Sequence, residues 1–211
     1  MRPSHLKTLR TALFLLFVLA LVCLPFVIFG ESFVLPILEA REHQTTWLVG
    51  LAIILLASDS VAPVPATLVI IFLAAKAGTL AGIIGGTLGM SAGVLTAGWI
   101  GREAVGRLAP RFFPEDELIR LRNALQRQLV LTLACWRSVP VLAETSVIVA
   151  AATGVPVARI FWVTVLPNFI ISTIYSVAAE DSLGTAAVTF FAIIAVSFAL
   201  WWLLRRRLPT A

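Results

Sequence analysis

SDSVAPVP at residues 58–65 and RSVPVLAET at residues 137–145 each place charge and proline inside an otherwise apolar stretch. A charge at the centre of a bilayer costs roughly 2.5–3.5 kcal/mol on insertion scales, so Asp59, Arg137 and Glu144 read as functional positions at membrane depth. Pro63, Pro65 and Pro140 break helices there, and broken backbone survives at that depth only where protein or water satisfies it. Two broken, charged segments at corresponding places in two halves of a chain point to a transport site near the midplane.

The rest of the chain supports that setting. Of its 211 residues, 60% are apolar and 13% are charged, and the mean hydropathy is +1.00. That composition belongs to an integral membrane protein. The net charge of +5 comes from arginines in short blocks beside apolar runs. Such blocks orient membrane spans and are not a nucleic-acid signal. Cys23 and Cys135 lie in apolar stretches with no partner at metal-ligand spacing, so neither a disulfide nor a metal site is expected. The basic start (Arg2, Lys7, Arg10) before an apolar run from Thr11 to Gly30, with no small-residue cleavage site, reads as an uncleaved signal anchor.

The expected architecture is an all-α polytopic membrane protein with four transmembrane helices and two re-entrant helical hairpins in an inverted repeat. The spans are predicted at 11–30, 79–101, 156–179 and 185–204. The stretches 46–77 and 129–154 are broken into arms too short to cross about 30 Å of hydrocarbon as helices, so each reads as a hairpin that leaves on the side it enters. An N-terminal region (1–45), a central domain (46–180) and a C-terminal span with a basic tail (185–211) follow. Loop charges agree with this count. Arg2, Lys7 and Arg10 face in; Glu31, Glu39 and Glu42 against Arg41 face out; the arginines from Arg102 to Arg127 face in; Glu180 and Asp181 face out; Arg205, Arg206 and Arg207 face in. Both termini are then cytoplasmic.

SVAPVPATLVIIFLAAKAGTLAG (60–82) also lines up with RSVPVLAETSVIVAAATGVPVAR (137–159). Each runs from Ser-Val through a proline break and an apolar arm to Gly78 or Gly154, and a span follows. One hairpin enters from outside and the other from inside, so their tips are expected to meet.

Within this frame each residue has a plainer role beside the functional one. Asp59 either caps the helix after it, although the prolines remove donors, or takes up and releases a proton. Arg137 either holds a permanent ion pair with Asp59 or Glu144 or binds a phosphate bidentately, and one pair can do both. Glu144 shares its face if Pro140 does not rotate it away. Thr67, Thr145, Ser146 and Asn168 read first as helix–helix hydrogen bonds. The rows Gly78, Gly82, Gly86 and Gly85, Gly89, Gly93, Ala97, Gly101 read as static packing, with a sliding surface as the alternative. Residues 114–128 read as a helix on the cytoplasmic membrane surface, with acids in its first turn and leucines along one face. His5 and His43 lie outside the apolar stretches and no serine has a histidine partner at depth, so no enzyme activity and no cofactor are expected.

An acid followed by Pro-x-Pro (Asp59, Pro63, Pro65), a glycine-rich span ending in Gly-Arg-x3-Gly (Gly101, Arg102, Gly106) and a later Arg-x-Val-Pro (Arg137, Val139, Pro140) resemble the DedA superfamily. That family is also called the VTT-domain or SNARE-associated family. The resemblance covers residues 45–180 and rests on the order of the motifs. It implies paired re-entrant hairpins and a part in moving lipids, including polyprenyl phosphate and phospholipid, across the inner membrane under the influence of the proton gradient. Asp59 then matches an early acid and Arg137 an arginine of the second hairpin. Ala66 and Thr67 stand where many members carry a glutamate after Pro-x-Pro, and Glu144 lies in the second hairpin instead. The coupling chemistry is then either relocated or absent.

The expected function is a proton-influenced lipid transporter or flippase. Anionic phospholipid or polyprenyl phosphate and protons are its partners, and self-association into a homo-oligomer is left open. A small-ion or solute transporter and a structural protein of envelope assembly are the alternatives.

Overall fold

The computed structural model describes residues 45–61, 64–139, 142–181 and 183–205. The predicted signal anchor at 11–30 and its outer loop, Pro63, Pro140 and the end of the basic tail lie outside them. The described residues are helical, with no strand among them. In chain order they form α1 (Thr45–Ser58), α2 (Ala66–Ala77), α3 (Thr79–Ile100), a π-helical turn (Gly101–Val105), α4 (Gly106–Phe112), α5 (Glu115–Arg127), α6 (Leu129–Trp136), α7 (Leu142–Ala152), α8 (Val157–Asp181) and α9 (Leu183–Arg205).

Two helical stretches are long and apolar enough to cross a membrane, Thr79–Arg111 and Val157–Glu180. The first is longer than the sequence predicts. The helix does not stop at Gly101 but passes through the π turn into α4. Pro167 does not end α8 either. It removes one helical donor, and the helix continues to Asp181.

α3 and α8 are the axis of the molecule, and they run antiparallel. Thr79 meets Glu180 near one end, and Gly98 meets Val157 near the other. On α3 the large side chains Leu80, Ile84, Leu88, Leu95 and Trp99 point outward, while Gly82, Gly86, Gly89 and Gly93 are buried. Large outside and small inside inverts the pattern of a water-soluble helix. It suits an apolar surrounding, where close backbone packing rather than the hydrophobic effect holds helices together.

A helical hairpin packs on each half of this axis. α1 and α2 pack on each other, on α3 and, through α2, on α8. Their core includes Leu56, Val69, Ile70 and Leu73 with Met90 of α3 and Ile171 and Tyr175 of α8. α6 packs on α8 and α9, and α7 on α3 and the π turn. This second core joins Leu133, Val147 and Ile148 to Val94 and Ala97 of α3 and Ile160 of α8. The ends of the repeated segments match in backbone conformation. Gly78, just before α3, has φ +92°, and Gly154, just before α8, has φ +90°. A side chain with a Cβ is strained there, which explains glycine at both places.

The glycine rows are contact points between α3 and its neighbours. A Cβ on Gly93 would lie 2.6 Å from the Leu56 carbonyl of the first hairpin, and one on Gly101 would lie 2.5 Å from the Ile148 carbonyl of the second. A Cβ on Gly106 would lie 3.3 Å from the Ala152 carbonyl, while Arg102 between the two glycines is exposed beside Glu103 at 3.6 Å. The motif Gly-Arg-x3-Gly thus seats α7 against the π turn. α5 starts after Pro114 with Glu115, Asp116 and Glu117 in its first turn, a favourable charge for a helix N-terminus. Its Leu118 reaches the second core, while Arg120 and Arg122 remain exposed.

Candidate functional site

The two hairpin tips meet between the two apolar cores, at the middle of α3 and α8. α6 ends at Trp136, and Arg137 follows as its C-terminal cap residue, in the turn that leads to α7. Glu144 stands in the first turn of α7. Arg137 and Glu144 are therefore not two turns apart on one helix. They face each other across the tip, which is how the chain keeps them together despite the break.

Arg137 is 5% exposed, and Glu144 is 6% exposed. The guanidinium donates from Nη1 to Glu144 Oε1 at 3.1 Å, from Nε to Asn168 Oδ1 of α8 at 2.6 Å and from Nη2 to the Met90 carbonyl of α3 at 3.0 Å. A guanidinium has five N–H donors, so two have no partner among the described residues. Ser60, at the first hairpin's tip, donates to Glu144 Oε2 at 3.1 Å. Asn168 in turn donates from Nδ2 to Ser91 Oγ of α3 at 3.0 Å. One network therefore ties both tips to both long helices. A buried ion pair is costly to desolvate, and removing one partner typically costs about 3–5 kcal/mol because the other charge is stranded.

Asp59 is half-buried and caps its own tip. Its Oδ1 accepts the Val64 N–H at 2.8 Å, the donor that remains between two prolines. It makes no ion pair among the described residues, although it lies near enough to Glu144 and Arg137 to feel both charges. The ion pair of Arg137 is thus with Glu144 and not with Asp59. Pro65 serves the backbone, holding φ −63° at the N-cap of α2. A further tie, from Thr96 Oγ1 to the Ala57 carbonyl at 2.6 Å, fixes the end of α1 on α3.

The neutral groups divide. Asn168 joins the network. Ser146 bonds the Ala143 carbonyl of its own helix at 2.8 Å. The Thr145 hydroxyl is buried without a partner among the described residues. Thr67 lies close to Tyr175, whose hydroxyl is buried outside hydrogen-bond geometry. Ser60, Ser91 and the Met90 carbonyl were not singled out by the sequence. Ser60 stands inside the SDSVAPVP break and Ser91 inside the glycine rows, and position was their only signal.

Beside the second hairpin, an apolar cavity of about 680 Å³ lies between the α6–α7 tip and α9. Cys135, Trp136, Val139, Leu142, Ile194 and Phe198 contribute to its wall. The Ser138–Ser197 hydrogen bond, 2.6 Å, and the Trp136–Trp201 ring pair connect the tip to α9. Among the described residues no three His, Cys, Asp or Glu side chains come together as a metal site would need.

Comparison of the chain with protein-family models, curated proteins and solved structures returned no match.

Proposed function

We propose that this chain is a lipid transporter of the flippase kind, set in the inner membrane with both termini cytoplasmic, and that Arg137 receives the phosphate of its substrate. In this reading the predicted anchor, α3, α8 and α9 are four spans, and α1–α2 and α6–α7 are re-entrant hairpins entering from opposite sides. The observation that carries it is the buried Arg137–Glu144 pair, joined to Ser60 of the other tip at mid-height of an otherwise apolar helix assembly. Intramembrane charges held by paired broken segments are the usual apparatus of transport. The DedA-like order of motifs supports the same reading.

The chemistry follows from the donor count. A phosphate presents several acceptor oxygens to a guanidinium that has two N–H groups without a partner among the described residues. Glu144 competes for the same cation, and Asp59 lies close by. Protonation of one carboxylate releases Arg137 toward the phosphate, and deprotonation closes the pair again. The hydrocarbon chains remain in the bilayer or in apolar clefts such as the one beside α9, so only the headgroup crosses a polar path.

Proteoliposomes carrying fluorescent phospholipid or polyprenyl phosphate test this, with and without a pH gradient, beside Arg137→Ala matched for folding and reconstitution. Gradient-sensitive flipping that Arg137→Ala abolishes is expected. If neither lipid is flipped, the lipid reading is overturned.

A further inference from the structure

Several hydroxyls on these helices turn back on their own backbone. Thr87 bonds the Ile83 carbonyl, Thr96 the Ala92 carbonyl, Thr164 the Ile160 carbonyl and Thr173 the Phe169 carbonyl, each one turn earlier. This is the default for serine and threonine in a helix. Ser172 and Ser176 do not follow it. Ser176 Oγ is fully buried and has no hydrogen-bond partner among the described residues. Ser172 Oγ, equally buried, has among the described residues only the Met90 sulfur, at 3.8 Å, as a hydrogen-bond acceptor.

Both serines point into the seam between α8 and α3. A Cβ on Gly82 would lie 2.4 Å from Ser176 Oγ, and one on Gly86 would lie 2.7 Å from Ser172 Oγ. Close packing explains the glycines, but alanine on α8 would pack as well without stranding a hydroxyl. A buried unsatisfied hydroxyl costs about 1–3 kcal/mol, and an ordered water is the common remedy. The row has direction. Asn168, Ser172, Ser176 and Glu180 are four residues apart, so they line one side of α8 at about 6 Å intervals, a step that one bridging water can span. Its inner end is Asn168, hydrogen-bonded to Arg137. Its outer end is exposed Glu180, which accepts from Thr79.

We infer that the α3–α8 seam binds a file of water molecules and is the route by which protons from the Glu180 side reach the Arg137–Glu144 pair. Each hydroxyl or water accepts one hydrogen and passes on another, so none keeps a net charge. The Asn168 amide and the Arg137 guanidinium relay nothing, and water at the inner end of the file hands the proton to the Glu144 carboxylate. The ionisable groups along the route are Glu180 at the mouth with Lys76 in the last turn of α2 nearby, Tyr175 beside the middle, and Asp59, Arg137 and Glu144 at the inner end. The orientation and the proton role rest on the function proposed above; hydration of the seam does not.

Two measurements separate these claims. In a background with Cys23 and Cys135 replaced, Ser172→Cys and Ser176→Cys are exposed to a small water-soluble thiol reagent, beside Ile174→Cys at the same depth but on the outward apolar face. A thiol must meet water to ionise and react, so the two seam positions are expected to label about tenfold faster than position 174. Equal rates overturn the water file, whatever the chain transports. Infrared difference spectroscopy then follows carboxyl protonation after a pH jump on the Glu180 side of proteoliposomes. The double variant Ser172→Ala with Ser176→Ala is expected to slow it about tenfold, since alanine offers no lone pair to bridge. An unchanged rate overturns the route while leaving lipid flipping to be judged by its own assay.

Discussion

The two hairpins share a plan and divide the chemistry. Each breaks at a proline-flanked tip, packs one arm on a glycine of α3 or of the π turn that continues it, and meets its partner at mid-height. The first tip is closed by its own backbone, with Asp59 bound to the Val64 N–H. The second is closed by opposite charges, with Arg137 bound to Glu144. A tip held by a backbone bond keeps its shape whatever the state of its neighbours. A tip held by an ion pair can open when one charge is neutralised or when an anion offers a better partner. The asymmetry places rigidity in the first hairpin and response in the second.

Substitutions at the tips test that division most severely. Arg137→Ala strands buried Glu144 and removes the donors to Asn168 and Met90, and is expected to lower stability by about 3–5 kcal/mol in bicelles. Asp59→Asn retains an acceptor for Val64 and is expected to cost no more than about 1 kcal/mol. Equal losses in denaturation of the two variants would break the comparison. Next come the contacts where the hairpins share a plan. Gly93→Ala and Gly101→Ala each drive a methyl group toward a hairpin carbonyl, and each is expected to cost about 1–3 kcal/mol. A marked difference between them in thermal unfolding would show that the hairpins are not equivalent mounts.

Smaller effects sharpen the picture. Ser60→Ala removes the side-chain bond from the first tip to Glu144 and is expected to cost about 1 kcal/mol. In a double-mutant cycle with Glu144→Gln, its effect should shrink, because the charge that strengthens the bond is gone. Arg102→Ala, on an exposed side chain, is expected to stay within about 0.5 kcal/mol in the same assay. A larger loss would mean that the motif's arginine does more than face water.

The helical class and the positions of the breaks were legible because apolar run length and proline act locally. The meeting of Arg137 with Glu144 was legible only as one of two pairings, since choosing between Asp59 and Glu144 depends on how a turn folds. Ser60, Ser91 and the Met90 carbonyl were not legible, because a hydroxyl or a backbone carbonyl acquires a role only when distant elements bring a donor to it. The continuation of α3 past Gly101 was missed for a related reason. Gly-Arg-x3-Gly resembles a helix end in sequence, yet its glycines are there to admit α7. The prolines near Asp59 remove donors and so argue in sequence against a capping role, whereas one surviving N–H, that of Val64, is enough.

The most direct test of the account is the rate of headgroup flipping in proteoliposomes under pH gradients of either sign, for wild type and for Asp59→Asn combined with Glu144→Gln. The account predicts that wild type flips at rates set by the sign of the gradient, while the double variant, with no carboxylate left to take a proton beside Arg137, flips at one rate in both. A double variant that still follows the gradient would contradict it.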